Sequence, residues 1–156
     1  MRIYEFQSES WLSKPPEEIF PFFADPSNLG RMTPPWLHFR ILTPLPVAMG
    51  AGAMIHYRIR VHGIPIRWRT QITDWNPPSG FRDEQLRGPY RLWVHDHRFE
   101  PRDGGTLATD HVRYAPRGGA LVERLCVRRD IQTIFAYRGL VLKELFDCSY
   151  SCNPIS

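Results

Sequence analysis

Two histidines, His95 and His97, stand two residues apart between Trp93 and Phe99. On a strand, that spacing puts all four side chains on one face. Imidazoles turned toward an enclosed space can pass protons, hydrogen-bond a ligand or hold a metal ion. The metal option needs a third donor, and Asp110 on the following strand is the nearest source. His-x-His is common on strands, and the plainer reading is a pair of core histidines bonded to neighbours; no metal is expected. Asp110 shares a face with Val112 and Tyr114. If that face points inward, the acid must be paired. Arg138, which falls within an apolar helical stripe, is its natural partner, with Arg124 in reserve. Together with His95 or His97 and Tyr114, the Arg–Asp pair would form a polar floor able to polarise a carbonyl or enolate and support proton transfer. The alternative is an ion pair that only locks helix to sheet.

These side chains need a sheet and a helix to bring them together, and the periodicities supply both. Residues 2–12 alternate around Ile3, Phe6 and Trp11 as a half-buried strand. A helix start follows at residues 13–18, with Ser13 as a cap candidate and two prolines near the first turn. That helix runs through Ile19, Phe20, Phe22 and Phe23 to Asp25-Pro26, and a second short one covers residues 27–32. Strand-like segments follow at 36–43, 53–61, 66–75, 81–87, 91–100 and 106–115, separated by short Gly/Pro turns such as His62-Gly63 and Asp103-Gly104-Gly105. This is the pattern of an antiparallel meander. A bulge near Gly88-Pro89 or Trp75 would exchange its inner and outer faces. From 121 to 147 the period becomes 3.6, giving one helix of roughly 40 Å. Its apolar arc collects Val127, Ile131, Ile134, Phe135, Val141, Leu142, Leu145 and Phe146, with Arg124 and Arg138 inside it.

The 156 residues suffice for one domain, residues 1–147, followed by a polar tail, 148–156. With 42% hydrophobic and 23% charged residues the composition is that of an ordinary globular protein, and 13% aromatic content suggests bulky filling or a lined pocket. The net charge of +4 favours an anionic partner only if the charges cluster. They do so in one place. Arg58, Arg60, Arg67 and Arg69 should form a basic stripe on the outer face of a hairpin, which is usually a solvated surface. No nucleic-acid signature accompanies it, and no nucleic-acid partner is expected. Three cysteines are too few for a scaffold. Cys126 reads as a small buried hydrophobe, and Cys148 and Cys152 fall in the tail. The odd count and the absence of a leader-like apolar run point to a reducing cytoplasm, and no run is long enough to span a membrane. Phosphate loops, dinucleotide fingerprints and nucleophile elbows are missing, so no cofactor is expected.

The order strand, two helices, about six strands, long helix resembles the START-like (SRPBCC) superfamily. So does the wording of Ala24-Asp25-Pro26-x-Asn28-Leu29, Thr33-Pro34-Pro35-Trp36, Gly63-Ile64-Pro65-x-x-Trp68-x-Thr70, Asp83-Glu84-Gln85-x-x-Gly88-Pro89-Tyr90, Trp93-x-His95-x-His97-x-Phe99, Asp110-x-Val112-x-Tyr114 and Ile134-Phe135-x-Tyr137-Arg138. The similarity covers residues 3–146. It implies an α+β helix-grip fold, in which a curved antiparallel sheet of six to seven strands wraps the long C-terminal helix around a cavity. Birch-pollen-allergen-like proteins and polyketide cyclases share that fold, which by itself assigns no activity.

The resemblance thus implies a cavity for a hydrophobic small molecule such as a lipid, polyketide or aromatic compound. Its lining should come from Tyr57, Trp68, Trp93, His95, His97, Phe99 and Tyr114 on the sheet, and from Ile131, Phe135, Arg138 and Leu142 on the helix. A non-enzymatic binding protein is the first expectation. An aromatase/cyclase-like enzyme using His95, His97, Asp110, Tyr114 and Arg138 is the second. The third is an interaction protein that meets an anionic partner through the arginine stripe, its interior filled by side chains.

Overall fold

Alternation of small and large residues in the first strand decides how the long helix meets the sheet. In the computed structural model, which describes residues 1–146 and 149–153, strand β1 (Tyr4–Leu12) buries Tyr4, Phe6, Ser8, Ser10 and Leu12. The inward set is therefore the even-numbered one. Ile3 is exposed and Trp11 half-buried, contrary to the expected alternation, and Trp11 instead donates its indole N–H to the Arg102 carbonyl at 2.9 Å. Ser8 and Ser10 are small enough for the helix backbone to approach β1 closely.

Helices α1 (Pro16–Ala24) and α2 (Leu29–Met32) follow, joined by a 3₁₀ turn at Pro26–Asn28 that Asp25 caps through the Ser27 N–H at 2.9 Å. Ser13 does not cap α1. Its hydroxyl donates to the Phe146 carbonyl at 2.7 Å, so it closes the C-terminal end of the long helix, where carbonyls lack partners. The strand expected at 36–43 is mostly a turn. A 3₁₀ turn at Pro35–Leu37 ends at His38 in the left-handed region (φ 47°), leaving only β2 (Arg40–Ile41). Strands β3 (Met54–Val61), β4 (Ile64–Asn76), β5 (Gly80–Arg87), β6 (Tyr90–Arg102) and β7 (Gly105–Pro116) form the meander. Two-residue turns at His62-Gly63 and Asp103-Gly104 have positive φ at both positions, the geometry that suits the twist of a tight hairpin.

The sheet order is β2-β3-β4-β5-β6-β7-β1-β8, antiparallel throughout its ladder pairs. The eighth strand, β8 (Ser149–Asn153), pairs with β1 after the long helix, in a stretch expected to be tail. Cys148 lies outside the described residues, so the expected boundary there and any link to Cys152 do too. Register shifts fall between Ile72 and Asp74 and between Tyr90 and Leu92, close to the two points where a bulge was anticipated. The inner face survives them, since Ile72, His95, His97 and Phe99 are all buried.

The long helix is not uniformly α. A short turn α3 (Gly119–Val122) leads into a π-wound segment, Glu123–Val127, and then α4 (Arg128–Phe146). An i→i+5 segment takes more residues per revolution and so retards the helical phase. Arg124, expected on the inner arc, is consequently exposed, and Glu123 takes its place with 1% exposure. Cys126 lies on the same segment and is exposed rather than buried. Glu123 accepts from the Tyr114 hydroxyl at 2.9 Å and from Arg128 at 3.0 and 3.1 Å. Leu145, also placed on the inner arc, is 38% exposed at the far end.

The core divides into packed ends. Phe20, Phe23, Ile72, Phe81, Phe99 and Leu142 fill one, under α1. Tyr4, Phe6, Val112, Tyr114, Ile131 and Phe135 fill a second, under the start of α4, while Leu37 of the 3₁₀ turn packs with Ile59 of β3 and Trp68 of β4 in a third. On the outer face Arg40, Arg58 and Arg67 stand opposite one another across three strands, and His56, Arg69 and Arg87 form a parallel row. Among the described residues none of these arginines makes an ion pair.

Candidate functional site

Sheet register assembles the polar cluster. Asp83 on β5 pairs with His95 on β6, and His97 pairs with Asp110 on β7, so all four side chains share the inner face. Gly80 sets the approach of the first two strands, because an added Cβ would collide with the His97 carbonyl oxygen. The two imidazoles stack with centroids 3.7 Å apart, and Phe81 covers His97 at 4.1 Å. Each ring spans the two acids. His95 places Nε2 2.8 Å from Asp110 Oδ1 and Nδ1 3.7 Å from Asp83 Oδ2. His97 places Nε2 2.8 Å from Asp83 Oδ2 and Nδ1 3.4 Å from Asp110 Oδ1, the latter too poorly aimed to be a hydrogen bond. Thr70 donates to Asp83 Oδ1 at 3.2 Å. Arg138 reaches from α4 to Asp110 Oδ1 at 3.5 Å, its guanidinium lying over the Phe23 and Phe135 rings.

Burial alone would raise both carboxyl pKa values. For Asp110 the Arg138 charge and the histidine contacts prevail, holding it well below the usual range. For Asp83 the His97 hydrogen bond and the charge of His95 outweigh burial, and its pKa is lowered as well. Burial and the neighbouring His97 push His95 down. Burial also opposes a charge on His97, but its contacts with Asp110 and Asp83 more than offset this, so its pKa is raised. The Arg138 guanidinium and the hydrogen-bonding imidazoles offset the charge of the two carboxylates, without which so dry a pair of acids would be costly.

Asp83, His95, His97 and Arg138 form one wall of a cavity of about 1010 Å³ between sheet and helix. Tyr57, Trp68, Trp93, Ile131 and Phe135 also line it. Three expected lining residues do not. Phe99 and Leu142 are packed into the cluster under α1, and Tyr114 lies in the cluster beneath Ile131 and Phe135 with its hydroxyl on Glu123. Asp110 sits behind the histidines rather than on the cavity surface. The sequence reading missed Asp83, although its two-residue offset from Phe81 could have placed it inward. It also missed Ile55, Ile59, Phe39 and Leu37, which complete the apolar lining. Among the described residues, buried Trp68 Nε1 and Arg138 Nε find no hydrogen-bond partner. Burial, and then the Asp83 charge, raises the Tyr57 pKa well above the ordinary phenol value, so this lining residue stays a neutral donor.

Residues 12–134 match the model of the family described as polyketide cyclase / dehydrase and lipid transport. The chain belongs to this family. Among solved structures, the Zhui aromatase/cyclase from Streptomyces sp. R1128 is 14% identical with a TM-score of 0.66, covering 92% of this chain and 96% of its own. Protein CV1439 from Chromobacterium violaceum is 15% identical with a TM-score of 0.68 over 91% and 96% of the two chains. Ara h 8.0201 gives 19% identity and a TM-score of 0.60 over 91% and 99%. At these identities the likeness shows the helix-grip fold alone. No curated protein matches. Family and fold are consistent with hydrophobic-ligand binding or a polyketide-cyclase-like role. Among the described residues, no helix is long and apolar enough to cross a membrane.

Proposed function

We propose that this protein binds a hydrophobic small molecule in the cavity, with a carbonyl or hydroxyl of the ligand turned toward Asp83, His95 and His97. The observation that carries this reading is the cavity itself, about 1010 Å³, at the upper end of known ligand pockets and apolar except along one wall. Trp68 Nε1, a buried donor with no partner among the described residues, offers the ligand a second anchor.

Binding without turnover is the better-supported form. A general acid or base needs a free hydrogen-bonding site aimed at the substrate. Here the histidines and acids largely bond one another, and Tyr114 and Asp110 stand off the cavity surface. An aromatase/cyclase-like reaction through His95, His97, Asp110, Tyr114 and Arg138 would need those pairings to break. A role resting on the arginine stripe alone called for a filled interior, and the open cavity counts against it.

The test is native mass spectrometry of protein purified from its own host, followed by extraction and identification of the bound compound. One stoichiometric apolar molecule is expected. Ile59→Trp should weaken its binding, or that of a hydrophobic fluorescent probe, about 50-fold, because the indole takes roughly 100 Å² of apolar contact from the ligand. The fold should survive, since the new ring enters open space. Wild-type protein that carries nothing and takes up no probe would overturn the reading.

A further inference from the structure

The two histidines are arranged asymmetrically about the acids. Asp83, His95 and His97 each present a donor atom, and these three atoms lie within 4.8 Å of one another. Two of the separations are 2.8 and 3.7 Å. Zinc with bonds of 2.0–2.1 Å holds tetrahedral donors roughly 3.3 Å apart, so the observed values straddle the required one. The opposite nitrogens, His95 Nε2 and His97 Nδ1, both face Asp110 Oδ1, at 2.8 and 3.4 Å. A carboxylate behind a ligating imidazole fixes its orientation and raises its basicity. Asp110 holds His95 by a hydrogen bond and lies 3.4 Å from His97 Nδ1, and the Arg138 guanidinium stands 3.5 Å from the same carboxylate oxygen.

We infer that Asp83, His95 and His97 form a site for one divalent transition-metal ion, zinc foremost, on the cavity wall. Two imidazoles and one carboxylate suit zinc or a neighbouring first-row ion, and they leave a fourth position open. All three residues line the cavity while Asp110 does not, so the open position faces the space where a ligand would sit. A carbonyl, carboxylate or phenol oxygen could complete the coordination. Asp110 is a positioning residue, acting only through the two rings.

The test uses metal alone, so its outcome is separate from the cavity reading. Chelator-treated wild-type protein is titrated with Zn²⁺ by calorimetry and with Co²⁺ by visible absorption. One equivalent should bind, with Co²⁺ giving the intense bands of a four-coordinate site. Asp83→Ala should weaken binding about 100-fold, and Asp110→Asn about 10-fold, the range for a residue behind the ligands. His111→Ala, at the exposed Glu5–His111 pair, should change nothing. Because buried-site variants can fail to fold, long-range ¹H–¹⁵N spectra of the wild type provide an independent readout: Zn²⁺ should shift His95 Nδ1 and His97 Nε2 above all other ring nitrogens. No binding, or binding that leaves those two nitrogens unmoved, overturns the site.

Discussion

Arg138→Met should destabilise the protein by about 3 kcal/mol. Removing one partner of a buried ion pair typically costs 3–5 kcal/mol, because the other charge stays buried. The lower end applies here, since His95 and His97 continue to contact Asp110. In a chain of this length that is a fall of on the order of 10 °C in Tm. Urea unfolding measures it directly. Combining Arg138→Met with Asp110→Asn should cost less than the two single changes summed, since neither charge then remains. Additive costs, or a single-variant loss below about 0.5 kcal/mol, would mean that solvent already screens the pair.

The second large effect belongs to Glu123. Its carboxylate is 1% exposed and accepts from Tyr114 and from Arg128. Glu123→Ala leaves a buried phenol without an acceptor, opens a small void, and releases a half-exposed arginine to water. The expected loss is about 3 kcal/mol, most of it the stranded hydroxyl and the void. Glu123→Gln keeps an acceptor and should cost about 1 kcal/mol. Adding Tyr114→Phe to Glu123→Ala should restore part of the stability, and double-mutant unfolding curves would reveal it. If Ala and Gln prove equivalent, the hydrogen bond is not what holds the π-wound segment to the sheet.

What was legible in the sequence follows from periodicity. Alternation from 91 to 100 placed His95 and His97 inward, and an arginine within an apolar arc pointed to Arg138 and its buried acid. Those inferences need only a period and a sign of charge. The misses have different causes. Arg124 was placed inward by extrapolating a constant 100° per residue through a segment that is π-wound, and nothing in Glu123–Val127 announces the change of winding. Tyr114 and Phe99 do face inward, but an inner face comprises both packed core and cavity surface. Which positions meet empty space depends on helices that cross the sheet, not on the strand's own pattern. Asp83 was overlooked because an acid in a strand reads as solvated until the neighbouring strand's register brings a histidine to it.

The arginine rows of the outer face have a consequence for how the molecule behaves among copies of itself. On its free side β3 meets the two residues of β2 and, at His56, the backbone of Leu42 and Thr43, and past Arg58 no described strand pairs with it. Such an uncovered margin is a template for strand addition and, from there, for fibrillar association. A second copy docking β3 against β3 antiparallel about Ile59 would set Arg58 of each copy against Arg60 of the other. Like charges facing each other across a ladder disfavour that pairing. The same repulsion that the folded sheet tolerates internally thus serves as a guard against self-polymerisation, and high salt, by screening it, would weaken the guard.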